Sequence, residues 1–119
     1  MQAKDCRILV VDPSQNALSA LRKVLSSAGF GVDTAQNTVD ALSLMLEGGH
    51  SLALLDAALH DRPVSETIAQ FKHLRPELRI LLMAGSPEKA VPAEGVEGVL
   101  KKPFSNEELL SAIRRSLKG

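Results

Sequence analysis

The chain has 119 residues, which fits a single domain over residues 1–119, and its 45% hydrophobic content is enough for one packed core. Lys and Arg total 14 and Asp and Glu total 14, so the formal net charge is zero, which argues against general nucleic-acid binding; 3% aromatic residues leave no stacking platform for single strands. No apolar run approaches the about 18 residues that span a bilayer, the N-terminus has no signal-peptide apolar region and the lone Cys6 cannot form an internal disulfide, so the expectation is a soluble cytoplasmic domain with no membrane partner.

Cys6 precedes the first apolar run and reads as an ordinary small side chain rather than a reactive thiol. In Arg7-Ile8-Leu9-Val10-Val11-Asp12, aliphatic residues lead straight to an acid, which predicts a first strand with Asp12 at its carboxyl end. Pro13 breaks the strand, and Ser14 is placed to cap a helix. Leu18, Leu21, Val24, Leu25 and Ala28 recur at helical spacing along it, and Gly29 stands where it should stop. Residues 30–35 set Val32 and Thr34 against Gly31 and Asp33, a polar alternation suited to an edge strand. Asn37 or Thr38 caps a second helix with Val39, Leu42, Met45 and Leu46 on one side, and Gly48-Gly49 ends it.

The run Leu52-Ala53-Leu54-Leu55-Asp56 predicts a third strand, buried on both faces, whose final acid marks where the chain leaves the core. The following loop contains His60-Asp61, read as solvated rather than as a ligand pair. Ser65 is the candidate cap of a third helix, with Ile68, Phe71 and Leu74 inward and Pro76 beyond its end. Arg79 to Met83 is the fourth strand, followed by a loop from Ala84 to Pro87. In residues 88–97, Pro92 interrupts and Gly95 loosens the pattern, so the fourth helix is expected to be short, a turn or two at most. Gly98-Val99-Leu100 is a short fifth strand running into Lys101-Lys102-Pro103. Ser105-Asn106-Glu107-Glu108 reads as a capping box. The last helix points Leu109, Leu110, Ile113 and Leu117 inward, and Arg114, Arg115 and Lys118 give it a solvated basic end favourable to its dipole.

Strands alternating with helices imply an α/β fold: a doubly wound five-stranded parallel sheet with helices on both faces. Five βα units are too few for an eight-stranded barrel. In a flavodoxin-like order, 2-1-3-4-5, the switch point lies between the first and third strands, the two that end in Asp12 and Asp56. Lys102 ends the fifth strand and is long enough to reach back. Two carboxylates and an ammonium on one rim suit phosphoryl transfer, with Mg²⁺ as the hard cation and a carboxylate as nucleophile. The turn after the first strand has neither a Gly-rich dinucleotide fingerprint nor a P-loop, and Asp12 there would repel a phosphate, which ranks a flavin- or dinucleotide-binding enzyme low.

Leu9-Val10-Val11-Asp12, Leu54-Leu55-Asp56 and Lys102-Pro103-Phe104 together resemble a two-component response-regulator receiver domain, CheY-like in fold, over essentially the whole chain. The resemblance implies a bacterial phosphorelay protein that is not an enzyme beyond Mg²⁺-dependent self-phosphorylation from a phosphodonor. It implies Asp56 as phosphoacceptor, a metal site of Asp12, Asp56 and the Ala58 backbone carbonyl, Lys102 contacting the phosphoryl group, and a cis bond before Pro103. The implied partners are a histidine kinase or phosphotransfer protein and an output protein or output domain. A homodimer is a further option. The family's usual contact surface is the fifth strand with the helices flanking it, and the expectation is a receiver that either acts alone by docking or is cut from a larger regulator.

The sequence departs from the family at several positions. Pro13 replaces the second of two adjacent acids. Ala84 stands where the family has Thr or Ser, and Val99 where it has the aromatic that moves on activation, so both switch positions are degenerate. His60 and Val64 replace the loop proline and glycine, and Ser86 is the nearest substitute hydroxyl. A switch needs contacts that differ between its two states. The primary expectation is therefore a phosphoacceptor receiver, and the alternative is a pseudo-receiver that binds partners independently of phosphorylation.

Overall fold

The computed structural model describes residues 6–59, 61–85 and 95–118. In chain order these form β1 (Arg7–Val11), α1 (Gln15–Ser27), β2 (Gly31–Ala35), α2 (Thr38–Glu47), β3 (His50–Asp56), α3 (Val64–Leu74), β4 (Arg79–Ala84), β5 (Gly98–Lys101) and α4 (Asn106–Lys118). The strands make one parallel sheet in the order β2-β1-β3-β4-β5. This is the expected arrangement, with α1 and α4 packed on one face and α2 and α3 on the other.

Successive side chains of a strand point to opposite faces, and here both faces are apolar. Ile8, Val10, Leu52, Leu54, Leu81 and Met83 pack with Leu18, Leu21 and Leu25 of α1 and Leu109 and Ile113 of α4. Their neighbours Leu9, Val11, Ala53, Leu55, Ile80 and Leu82 pack with Ala41 and Met45 of α2 and Ile68 and Phe71 of α3. Continuous apolar runs in β1, β3 and β4 are thus what a sheet covered on both sides requires. β2 lies at an edge, as its polar alternation predicts.

The helix ends follow local chemistry. The Ser14 side chain accepts from the Ala17 N–H at the start of α1. At its end Gly29 has φ of 96°, the left-handed region open to glycine. Its N–H reaches Ser26 O and the Phe30 N–H reaches Leu25 O, a Schellman closure in which Phe30 and Leu25 share one core cluster. Ser105 and Glu108 form the expected reciprocal capping box, each side chain accepting the other's N–H at 3.0 Å.

Three expectations need correcting. The buried face of α2 is Thr38, Ala41 and Met45, whereas Val39 is 57% and Leu46 70% exposed. The apolar spacing pointed to the wrong stripe because the inner position at the start of α2 belongs to a threonine held by buried hydrogen bonds. Ser65 lies inside α3 rather than at its cap, because the helix begins at Val64 behind Pro63, and no side chain caps it. The strands also run longer than expected: β3 starts at His50, β4 reaches Ala84 and β5 reaches Lys101, since main-chain pairing continues past the apolar residues. The short fourth helix expected within residues 88–97 falls largely outside the described residues.

Candidate functional site

Three strands deliver the site. Beyond the end of β1, the Asp12 N–H still bonds Ala35 O of β2; beyond β3, the Ala57 N–H bonds Met83 O of β4; beyond β5, the Lys102 N–H bonds Ala84 O. Each functional side chain therefore stands on backbone fixed by the sheet. Lys102 is followed by a cis peptide bond to Pro103, as the resemblance implied.

Asp12, Asp56 and Lys102 meet at the carboxyl rim between β1 and β3, where an open α/β sheet binds ligands. The Lys102 ammonium donates to Asp12 Oδ2 at 2.8 Å and to Asp56 Oδ2 at 3.1 Å. The other oxygen of each acid accepts a main-chain N–H two residues on: Ser14 N–H to Asp12 Oδ1 at 2.8 Å, and Ala58 N–H to Asp56 Oδ1 at 2.9 Å. The acids are almost wholly buried, Asp12 1% and Asp56 6% exposed. Burial pulls the Lys102 ammonium toward losing its proton, but the hydrogen bonds and charges of both acids outweigh this and hold its pKa above the ordinary lysine value. The structure thus shows one ammonium shared by two carboxylates.

The donor set suits a hard divalent cation. Mg²⁺ is commonly held by one or two carboxylates with water completing its shell, and Asp12 and Asp56 bring two carboxylates together at this rim. Among the described residues no group of three or more acidic, His or Cys side chains gathers. Pro13, beside Asp12, adds no carboxylate to the rim.

Ala84 is buried at the end of β4 with no hydroxyl to offer, and Val99 on the edge strand β5 is 47% exposed. His60 and Ser86 lie outside the described residues. Asp61, read from sequence as a solvated loop acid, instead accepts both the N–H and the hydroxyl of Thr38 on α2, at 2.8 and 3.1 Å. The one signal in its favour was Thr38 itself, a capping residue at the start of a helix; Asn37 is the residue that caps, accepting from the Asp40 N–H.

Beside the acids, an open groove of about 510 Å³ runs between α1 and the segment after β5. Asp12 and Lys102 stand in it, and Ala17, Ala20, Leu21, Val24 and Phe104 give it an apolar lining.

Comparison with known proteins agrees with this geometry. The family model described as "Response regulator receiver domain" matches residues 8–114. "Response regulator MprA" of Mycobacterium sp. (strain KMS) is 33% identical over 94% of the chain, which spans about half (50%) of that relative's length. A CheY-like receiver domain from Methanospirillum hungatei JF-1 superposes with a TM-score of 0.87 at 28% identity, covering 94% of this chain and 93% of that one. The chemotaxis protein CheY4 of Vibrio cholerae superposes with a TM-score of 0.81 at 27% identity, covering 94% and 98%.

Proposed function

The chain belongs to the response-regulator receiver domain family, and from that premise we propose that Asp56 is its phosphoacceptor, taking a phosphoryl group from the phosphohistidine of a kinase or phosphotransfer protein in the cytoplasm. The observation that carries this reading is the convergence of Lys102 on Asp12 and Asp56 at the switch point of the sheet. The Asp56 carboxylate attacks phosphorus, the P–N bond to the donor imidazole breaks, and an acyl phosphate forms on Asp56. Lys102 releases part of its contact to the acids and donates to the phosphoryl oxygens, offsetting their charge. Mg²⁺, when bound by Asp12, Asp56 and the Ala58 carbonyl, offsets charge on the same oxygens. The donor's histidine-bearing segment lies along the apolar groove of α1, and the product is read by an output domain or protein.

A second reading is supported by Pro13, Ala84 and Val99. With one acid, the hydroxyl and the aromatic gone, the Lys102 ammonium already fills the space between the remaining acids. The domain then docks partners without phosphorylation. Intact mass after incubation with acetyl phosphate, with and without Mg²⁺, tests the choice. A phosphoryl adduct that requires Mg²⁺ and disappears in Asp56→Asn is the expected result. No adduct on the wild type under any condition transfers the reading to the phosphorylation-independent module.

A further inference from the structure

Five polar or charged residues, taken whole, are buried among the described residues: Asp12, Thr38, Asp56, Thr67 and Ser116. Asp12 and Asp56 form the acid site. The Ser116 hydroxyl is satisfied within α4 by Ala112 O. Thr38 of α2 and Thr67 of α3 remain, each 0% exposed, with their hydroxyl oxygens 3.0 Å apart. A carboxylate only accepts, so the Thr38 hydroxyl must donate to Asp61 Oδ1, and the Thr67 hydroxyl must then donate to Thr38 Oγ1. The second Asp61 oxygen takes the Thr38 N–H at the N-terminus of α2, where a negative charge is favourable. Burying hydroxyls in place of methyls costs stability unless every bond is made. Here they are made, and the chain of bonds ends on the loop that begins at Asp56.

That loop, described at residues 57–59 and 61–63, is tied at its start by the Ala57 N–H to β4 and by the Ala58 N–H to Asp56 Oδ1. Leu59 is buried among the side chains of α2 and α3. Asp61 closes the far side onto α2. We propose that Asp61 is a positioning residue for Asp56, fixing through the Thr38–Thr67 pair the loop whose Ala58 amide orients the acceptor carboxylate. The proposal rests on the reading of Asp56 as phosphoacceptor.

The amide of Asp61→Asn keeps the network by reversing it: its oxygen accepts the Thr38 N–H, its NH₂ donates to Thr38 Oγ1, and the Thr38 hydroxyl turns to Thr67. Asp61→Ala keeps nothing. A role for Asp61 through charge or metal ligation would make the two variants equally defective, so rescue by Asn separates positioning from both.

The test measures the labelling rate of Asp56 at saturating acetyl phosphate with Mg²⁺, and amide hydrogen exchange at Ala57 and Ala58, in wild type, Asp61→Ala and Asp61→Asn. Asp61→Ala is expected to label about tenfold more slowly and to exchange about tenfold faster at both amides, with Asp61→Asn within about twofold of wild type. Unchanged rate and exchange in Asp61→Ala, or an Asn variant as defective as Ala, overturns the proposal. If wild type takes no phosphoryl group, the phosphoacceptor reading fails, and exchange at Ala57 and Ala58 alone decides the positioning role: faster exchange in Asp61→Ala upholds it, equal exchange overturns it. Should Asp61→Ala fail to fold, Thr67→Val carries the test, with roughly threefold faster exchange expected and no change overturning the inference.

Discussion

The two ends of the sheet each hold a cluster of charges, and they are built in opposite senses. At the amino end, Asp33 of β2 accepts from Arg7 of β1 at 2.9 Å and contacts His50 Nε2 of β3 at 2.8 Å, one acid between two basic groups. Burial would raise the Asp33 pKa, but the hydrogen bonds and charges of Arg7 and His50 outweigh it and hold the carboxyl below its ordinary value. At the carboxyl end, two acids share one ammonium. The amino cluster leaves no negative charge uncompensated and staples three strands together. The carboxyl cluster keeps an excess negative charge in a nearly buried place, and such a site has something to gain from a further cation. The two clusters thus differ in whether negative charge is left uncompensated.

The comparison breaks most visibly at Lys102. Lys102→Met leaves two buried acids facing one another and is expected to destabilise the fold by roughly 2 kcal/mol at neutral pH, the scale of hydrogen bonds to charged groups. Urea unfolding measures the loss, and millimolar Mg²⁺ should recover part of it by binding the folded state. Because folding raises the Lys102 pKa, its contribution is complete below the unfolded lysine value of about 10.4 and fades as pH rises through the folded value. On the alkaline side, the gap between wild type and Lys102→Met should therefore persist until strongly alkaline solution. Pro13→Asp sharpens the contrast by adding an acid to the incomplete end: Mg²⁺ affinity, followed by titration calorimetry, should rise about tenfold, while the amino end is unaffected. At that end, Asp33→Asn is expected to cost about 1 kcal/mol at neutral pH. The depressed Asp33 pKa makes this contribution complete above the unfolded value of about 3.9 and lost as pH falls through the folded one. Melting curves of wild type and variant should converge below about pH 4, and Mg²⁺ should not restore the variant.

The strands and the acids at their ends were legible in the sequence, because apolar runs ending in Asp12 and Asp56 state both where a strand is buried and where it emerges, while the strand order came from the flavodoxin-like pattern of alternating strands and helices. The buried face of α2 was not. Spacing alone cannot tell a stripe led by Val39 from one led by Thr38, and the choice was made by a hydrogen bond to Thr67, 29 residues away, and by Asp61 in a loop. The same holds for Lys102, whose two contacts span 46 and 90 residues of sequence. Local pattern determines which segments become strands and helices, since period and capping act within a few residues. Only the folded sheet decides which polar groups find one another, because a buried donor or acceptor is stable only where a partner from elsewhere in the chain arrives to meet it.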